Sequence, residues 1–104
     1  MKLMTKTVAK SIPDIRSQDG LGMDAIVHAH YFNPGSDWFV LEYDGVDQFF
    51  GFVCLNQDWE MAELGYFSLK ELENLNKVVN PLLKIERDMY WSKKTLTEAI
   101  GNRR

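Results

Sequence analysis

Two histidines in the first half of the chain have the spacing for metal chemistry. His28 and His30 lie in the segment AIVHAHYF, whose β-branched and aromatic residues predict a strand. Residues two apart on a strand point to the same face, so the two imidazoles could share a metal ion. A zinc site needs three or four ligands, and the sequence places no acidic partner beside them. We therefore expect two solvent-facing histidines on an edge strand, with no bound metal or other cofactor.

The single thiol, Cys54, is a second candidate for chemistry. A nucleophilic cysteine needs a neighbouring base and a partly exposed, electropositive environment. Cys54 instead lies in the apolar run FFGFVCL, which predicts a small buried side chain. One cysteine also excludes a disulfide within these residues, and it fits a reducing compartment.

Five carboxylates in the second half of the chain raise the question of a paired acid and base. A helix cap accounts for Glu71, and Glu73 falls on the polar face of the same helix. Arg87 is predicted to form a structural salt bridge with Glu63 or Asp88, which would fasten the last strand to the body. We expect all five acids to be structural. They are Glu63, Glu71, Glu73, Glu86 and Asp88.

The segment NQDWEMAE, residues 56–63, is the most unusual in the chain. It places Trp59 and Met61 among acidic residues, and aromatic and methionine side chains in polar surroundings are enriched at protein interfaces. We predict a partner-binding patch here. The alternative is that Trp59 folds back and covers the core. The predicted patch consists of Asp58, Trp59, Glu60 and Met61.

The elements that position these residues begin with three strand-like segments. They cover residues 25–32, 37–44 and 47–55, and a Pro-Gly and an Asp-Gly pair between them favour tight turns. The pattern predicts an antiparallel meander, to which ELGYF adds a short fourth strand. Alternation along the second strand predicts Trp38, Val40 and Glu42 on one face and Phe39, Leu41 and Tyr43 on the other.

A main helix is predicted over residues 68–79. Ser68 and Glu71 have the spacing of a capping box, in which each side chain accepts a hydrogen bond from the backbone N–H of the other residue. Phe67 and Leu72 are placed to form the accompanying hydrophobic staple. Apolar residues at helical spacing then predict one buried stripe. The stripe consists of Leu69, Leu72, Leu75 and Val79.

These elements predict a single α+β domain over residues 1–104. Its sheet is a three- or four-stranded antiparallel meander, with the main helix packed on one face and short terminal helices around it. Thr95 and Glu98 repeat the capping-box spacing at the start of the last helix. The predicted divisions are 1–12 for the N-terminal helix and linker, 25–67 for the sheet, 68–79 for the helix, and 84–104 for an extended segment and a short C-terminal helix.

Charge is unevenly distributed along the chain, whose net charge is −3. Residues 37–88 carry eleven acidic and four basic side chains, whereas the tail is basic. Nucleic-acid binding needs a stripe of lysine and arginine, so we do not expect direct contact with DNA or RNA. The alternative is a nucleic-acid binder that uses the tail residues Lys93, Lys94, Arg103 and Arg104.

The hydropathy of the chain bears on its location. The opening segment MKLMTKTVAK has no apolar run of the length that a signal peptide needs. No segment approaches the roughly 18 apolar residues of a membrane helix. We therefore expect a cytoplasmic protein without membrane contact.

Four motifs in order resemble a known family. DGxGxDAIVxAxYFxPxSDW, EYDGxDxFFGFV, ELGYFSLxELE and IERDxYW are similar to the bacterial domain-of-unknown-function family 2958. The resemblance runs from about Ile12 to Glu98. It implies a small protein of plasmids, conjugative elements or phages, and it implies no catalytic residues.

The combined observations predict a function of the binding class. We expect a non-enzymatic protein-binding accessory protein of a mobile genetic element, with inhibition of a host defence complex such as CRISPR-Cas or restriction as a specific hypothesis. The alternatives are a small metal-dependent enzyme that uses His28 and His30, and the nucleic-acid binder described above. The oligomeric state and the partner stay open.

Overall fold

A computed structural model describes residues 1–103 of the chain. The helices are α1 (Lys6–Ser11), α2 (Leu69–Val78) and α3 (Leu96–Ile100). The strands are β1 (Ile26–Val27), β2 (Ala29–Asn33), β3 (Ser36–Tyr43), β4 (Gln48–Cys54), β5 (Glu63–Ser68), β6 (Glu86–Arg87) and β7 (Lys94–Thr95). Short 3₁₀ turns cover Gly22–Asp24 and Pro81–Leu83.

Five of the strands form one antiparallel sheet in the order β5-β4-β3-β2-β6. β1 and β7 pair separately as a two-stranded antiparallel ribbon. The predicted α+β class and the antiparallel meander are therefore confirmed. The sheet has one strand more than predicted, because two residues of the extended segment predicted after residue 84 pair with β2 as β6.

The three helices are short, at six, ten and five residues. α1 begins after Thr5, whose side chain accepts from the N–H of Val8, and it ends two residues before Pro13. α3 has the complete capping box predicted for Thr95 and Glu98. Among residues 1–103, no helix combines the length and apolarity needed to cross a bilayer.

Asp44 closes the hairpin between β3 and β4. Its Oδ1 accepts hydrogen bonds from the backbone N–H groups of Val46, Asp47 and Gln48 at 2.8, 2.8 and 3.0 Å. Gly45 has a φ of +83°, a conformation that glycine adopts without a steric cost. The Asp-Gly pair therefore forms a tight turn, as its sequence predicts.

Both faces of the sheet are covered, and each has its own hydrophobic cluster. The α2-side core lies under α1 and α2, and the α3-side core lies under α3. The α2-side core contains Leu3, Ile12, Ala29, Tyr31, Trp38, Val40, Tyr43, Phe49, Leu69, Leu72 and Ile85. The α3-side core contains Ala25, Val27, Phe39, Leu41, Phe52, Cys54, Ala62, Leu96, Ala99 and Ile100.

A β-bulge in β3 changes which side chains share a face. Between Val40 and Glu42 the pairing with β4 shifts by one residue, which leaves Leu41 without a partner directly opposite. Alternation assigned Tyr43 to the same face as Leu41, and this prediction is wrong. Tyr43 lies in the α2-side core with Val40, because the extra residue reverses the alternation that follows it.

α2 begins as predicted but differs from the prediction in two respects. Ser68 Oγ accepts from the N–H of Glu71 at 3.2 Å, but the contacts of the described residues do not include the reciprocal half of a capping box. Ser68 is still the last residue of β5, where it pairs with Gln48. Its hydroxyl donates to the carboxylate of Asp47. Leu75 is 46% exposed, so the predicted buried stripe is restricted to Leu69 and Leu72.

Candidate functional site

The segment between β4 and β5 carries the predicted partner-binding residues, and it is anchored to the β2–β3 turn. The Gln57 N–H donates to the carbonyl of Gly35 at 2.7 Å, and the Asn56 N–H donates to Ser36 Oγ at 3.1 Å. Asn56 and Gln57 both have positive φ, +55° and +58°, so the chain reverses direction within two residues. Backbone contacts therefore hold this segment in a defined shape.

Trp59 packs on the α3-side core. Its ring centroid lies 6.4 Å from that of Phe39, and the guanidinium of Arg103 lies 4.9 Å from the indole centroid. A cation over an indole face is attracted by the ring quadrupole. The indole therefore covers the core, in the arrangement given above as the alternative to a free aromatic anchor.

Met61 and the two acids beside Trp59 face solvent. Met61 is 75% exposed, and Asp58 and Glu60 are also exposed. Asp58 Oδ1 accepts from the Met61 N–H at 3.3 Å, which orders the turn between them. Met61 borders a surface cleft of about 310 Å³ beside β5, an edge strand of the sheet. The cleft is lined by Val53, Leu55, Asn56, Asp58, Met61 and Glu63.

His30 lies between two carboxylates. Its Nε2 is 2.7 Å from Asp37 Oδ1, and its Nδ1 is 3.4 Å from Asp88 Oδ2. The imidazole stacks on Phe39 with 4.7 Å between ring centroids, and only 13% of the side chain is exposed. Because β2 lies between β3 and β6, the prediction of a solvent-facing histidine on an edge strand is wrong for His30. A ligand could reach either ring nitrogen only by displacing a carboxylate.

His28 lines a different cavity from His30. The strand is interrupted at His28, and its neighbours Val27 and Ala29 belong to different cores. The predicted shared face is therefore wrong, because the interruption breaks the two-residue alternation. Burial, and then the ammonium of Lys93, lower the pKa of His28.

The acids considered for catalysis are dispersed over the molecule. Glu63 on β5 and Arg87 on β6 lie at opposite edges of the five-stranded sheet, a separation of roughly 19 Å at the usual strand spacing. Asp88 bonds to His30 and to the N–H of Tyr90, and within residues 1–103 Arg87 forms no ion pair. Both predicted salt bridges of Arg87 are therefore wrong. The described part of the chain holds no group of three or more His, Cys, Asp or Glu placed to bind a metal ion.

Cys54 is a component of the α3-side core. Its side chain is completely buried, and burial raises the pKa of the thiol. A raised pKa reduces the fraction of thiolate, which is the reactive form. The prediction of a small buried side chain is confirmed.

The described basic side chains of the tail each contact a different part of the protein. The Lys93 ammonium donates to a backbone carbonyl at the end of α1 at 3.2 Å, and the Lys94 ammonium lies 4.6 Å from the centroid of the Trp91 ring. Arg103 lies over the indole of the β4–β5 segment, as described above. Arg104 lies outside the described residues. The three described cations therefore contact different parts of the body.

The proximity of Asp37 to His30 depends on hairpin register and not on spacing along the chain. His30 pairs directly with Phe39, and Asp37 lies two residues from Phe39 on the same strand. Such diagonal neighbours share a face and lie within reach of each other. The Pro-Gly turn was therefore the available signal, because it fixes this register.

The fold and its surface define a small α+β protein with helices on both faces of an antiparallel sheet. The chain belongs to the family described as "protein of unknown function (DUF2958)", whose model matches residues 3–100, nearly the whole chain. No curated protein and no solved structure matches it. The family description assigns no activity, so function has to be argued from the surface.

Proposed function

We propose that this protein is a non-enzymatic protein-binding module whose contact surface is centred on the β4–β5 segment. The proposal extends to a cytoplasmic accessory protein of a mobile genetic element that inhibits a host defence complex such as CRISPR-Cas or restriction. The mobile-element context comes from the family resemblance of the sequence motifs. The binding surface itself is argued from the exposed residues of the segment.

The observation that carries the proposal is the exposure of Met61 beside an apolar cleft with an acidic rim. Leu55 is 52% exposed and Met61 is 75% exposed, and both line the cleft. Asp58 and Glu63 line the same cleft, so a partner would meet apolar side chains flanked by carboxylates. An apolar centre with a polar rim is the usual anatomy of a protein interface.

The rigidity of the segment also favours binding. Its backbone is bonded to the β2–β3 turn, so a partner would not need to order it on association. Ordering a mobile loop costs free energy that reduces affinity. The predicted patch residue Trp59 contributes by holding the segment on the core, while Asp58, Glu60 and Met61 offer the exposed contacts.

A tagged pull-down from bacterial lysate, with and without nuclease, tests the proposal. Proteins recovered with the wild type would be identified by mass spectrometry and then titrated against a Glu60→Lys/Met61→Ala variant. Both side chains are exposed, so the variant should fold normally. We expect it to lose at least about tenfold in affinity, the range of an interface hot spot.

A variant with the same changes at the opposite edge of the sheet provides the control. Glu86→Lys/Met89→Ala alters an exposed acid and an exposed methionine in and beside β6. It should bind the captured partner like the wild type. Equal binding by the Glu60→Lys/Met61→Ala variant, or partners that disappear on nuclease treatment, would contradict the proposed surface.

A further inference from the structure

A small cavity between α1, the β1–β2 junction and β6 is lined by three basic side chains, of which two are permanent cations. Its volume is about 190 Å³, several times the volume that one water molecule occupies in the liquid, about 30 Å³. The exposed residues Met89 and Lys93 are part of its wall, so it opens to solvent. The cavity is lined by Val8, Ser11, His28, Ala29, Arg87, Asp88, Met89, Trp91 and Lys93.

Three basic side chains reach this cavity from three separate segments. His28 comes from the β1–β2 junction, Arg87 from β6, and Lys93 from the segment before β7. Residues that are distant in sequence therefore converge on one small space. Convergent donors on different elements are the usual construction of a site for a small ligand.

Two buried nitrogens on these side chains have no hydrogen-bond partner among residues 1–103. They are Nδ1 of His28 and Nε of Arg87. Buried polar atoms are nearly always bonded, and leaving one unsatisfied destabilises the folded state. Both residues that carry such an atom line the same cavity, so a polar ligand placed there could bond to both nitrogens once their side chains turn towards it.

The charge of the cavity wall favours an anion. Asp88 is the only acid in the lining, and its two oxygens already contact His30 and the N–H of Tyr90. Arg87 forms no ion pair with any described residue, and the Lys93 ammonium donates to the carbonyl of Ser11. The wall thus presents two permanent cations with little compensating charge.

We propose that this cavity binds the phosphate group of a small ligand. A guanidinium presents its donors in a planar fork that matches phosphate oxygens, and a lysine ammonium is a common second contact. A tetrahedral phosphate offers separate oxygens to the guanidinium, the ammonium and the His28 ring in the tautomer protonated at Nδ1, whereas a carboxylate offers only two oxygens. The proposal goes beyond protein binding, because the cavity and the Met61 cleft share no residue.

Nuclear magnetic resonance with inorganic phosphate as the probe tests this site directly. Phosphate would be titrated into the labelled full chain at constant ionic strength, with sodium chloride as the replaced salt. We expect saturable shifts of the Arg87 Nε–H, the His28 ring and the Trp91 indole signals. Phenyl phosphate should bind at least as tightly if the ligand is a monoester, because the indole wall can contact its ring.

Two variants with matched controls decide whether these residues form the site. Arg87→Gln should weaken phosphate binding about tenfold or more, and Arg16→Gln, at an exposed arginine elsewhere, should not. Lys93→Met removes an exposed side chain and should fold, and its control is Lys77→Met on α2. Chemical shifts that never saturate with phosphate would overturn the assignment. Unchanged phosphate affinity in both Arg87→Gln and Lys93→Met would also overturn it.

Discussion

The hydroxyl of Ser68 donates a 2.6 Å hydrogen bond to Oδ2 of Asp47, which joins the start of α2 to the β3–β4 turn. Oδ1 of Asp47 also accepts from the N–H of Lys70 at 2.7 Å, and its backbone carbonyl accepts from the N–H of Leu69 at 2.9 Å. A turn residue thus satisfies the N–H groups of Leu69 and Lys70, which the predicted box between Ser68 and Glu71 does not include. Hairpin and helix share one polar junction.

Substitution of Asp47 should therefore destabilise the protein more than substitution of Glu71. Asp47→Ala removes the carboxylate that accepts from the Lys70 N–H and the Ser68 hydroxyl, and we expect a loss of about 1–2 kcal/mol in the free energy of unfolding. Glu71→Ala removes an exposed side chain and should change it by less than about 0.5 kcal/mol. Urea denaturation of both variants checks this, and equal losses would show that the local box predominates.

Gly51 in β4 should tolerate no side chain. A Cβ at this position would clash with the carbonyl oxygen of Phe39 on β3, next to the bulge. Gly51→Ala is expected to reduce the free energy of unfolding by about 1–3 kcal/mol, the usual cost of overpacking.

Gly65 provides the control for this prediction because it lies directly opposite Gly51 on β5. A Cβ there would meet nothing within 4 Å. Gly65→Ala should be neutral or slightly stabilising, since alanine reduces the freedom of the unfolded chain. A thermal melt that shows the same loss for both variants would mean that neither strand tolerates alanine at these positions and that the clash with Phe39 is not the cause.

His28 should make the protein less stable as the pH falls. Its pKa in the folded state lies below the value of 6.5 taken for the unfolded chain, first because of burial and then because of Lys93. The folded state therefore binds fewer protons, so stability is greatest above pH 6.5 and declines as the pH falls from there towards the lowered pKa. The charged side chains of Arg87 and Asp88 line the same cavity as His28.

The contribution of His28 can be isolated by comparing the wild type with His28→Gln. Urea denaturation at pH 7.5, 6.5 and 5.5 should show a steeper loss of stability in the wild type. All other side chains are the same in both proteins, so the difference between the profiles reports on His28. Parallel pH profiles would exclude a contribution from His28. Phosphate in the neighbouring cavity should flatten the wild-type profile, because an anion favours the imidazolium.

Cys54 should resist alkylation in the folded protein. Its side chain is completely buried, and burial raises the pKa of the thiol, so both access and thiolate fraction are low. Iodoacetamide should modify it at a negligible rate in buffer and rapidly in concentrated urea. Mass spectrometry gives the modified fraction, and rapid labelling without denaturant would contradict this burial.

Local patterns predicted the elements, because their causes lie within a few residues of one another. The Asp44-Gly45 turn, the Thr95 cap of α3 and the burial of Cys54 follow from local chemistry. Each depends on neighbours in sequence or on apolar runs. The predictions of these three features therefore agree with the structure.

The residues whose positions were predicted wrongly owe those positions to the register between strands. One additional residue in β3 moved Tyr43 to the other face, and an interrupted strand separated His28 from His30. Asp37 and Asp88 reach His30 only because β2 lies between β3 and β6. Pairing between strands is set by the whole sheet, so residue spacing alone could not reveal these contacts.

Because α3 lies near residue 100, the α3-side core can be completed only late in synthesis. Leu96, Ala99 and Ile100 complete the α3-side core, and β7 supplies the partner of β1 near the other end of the chain. The strands and α2 can emerge from the ribosome with one apolar face of the sheet still uncovered. That face stays exposed until residues 94–100 have left the ribosome, so a chain that stops earlier presents an uncovered sheet to proteases and chaperones.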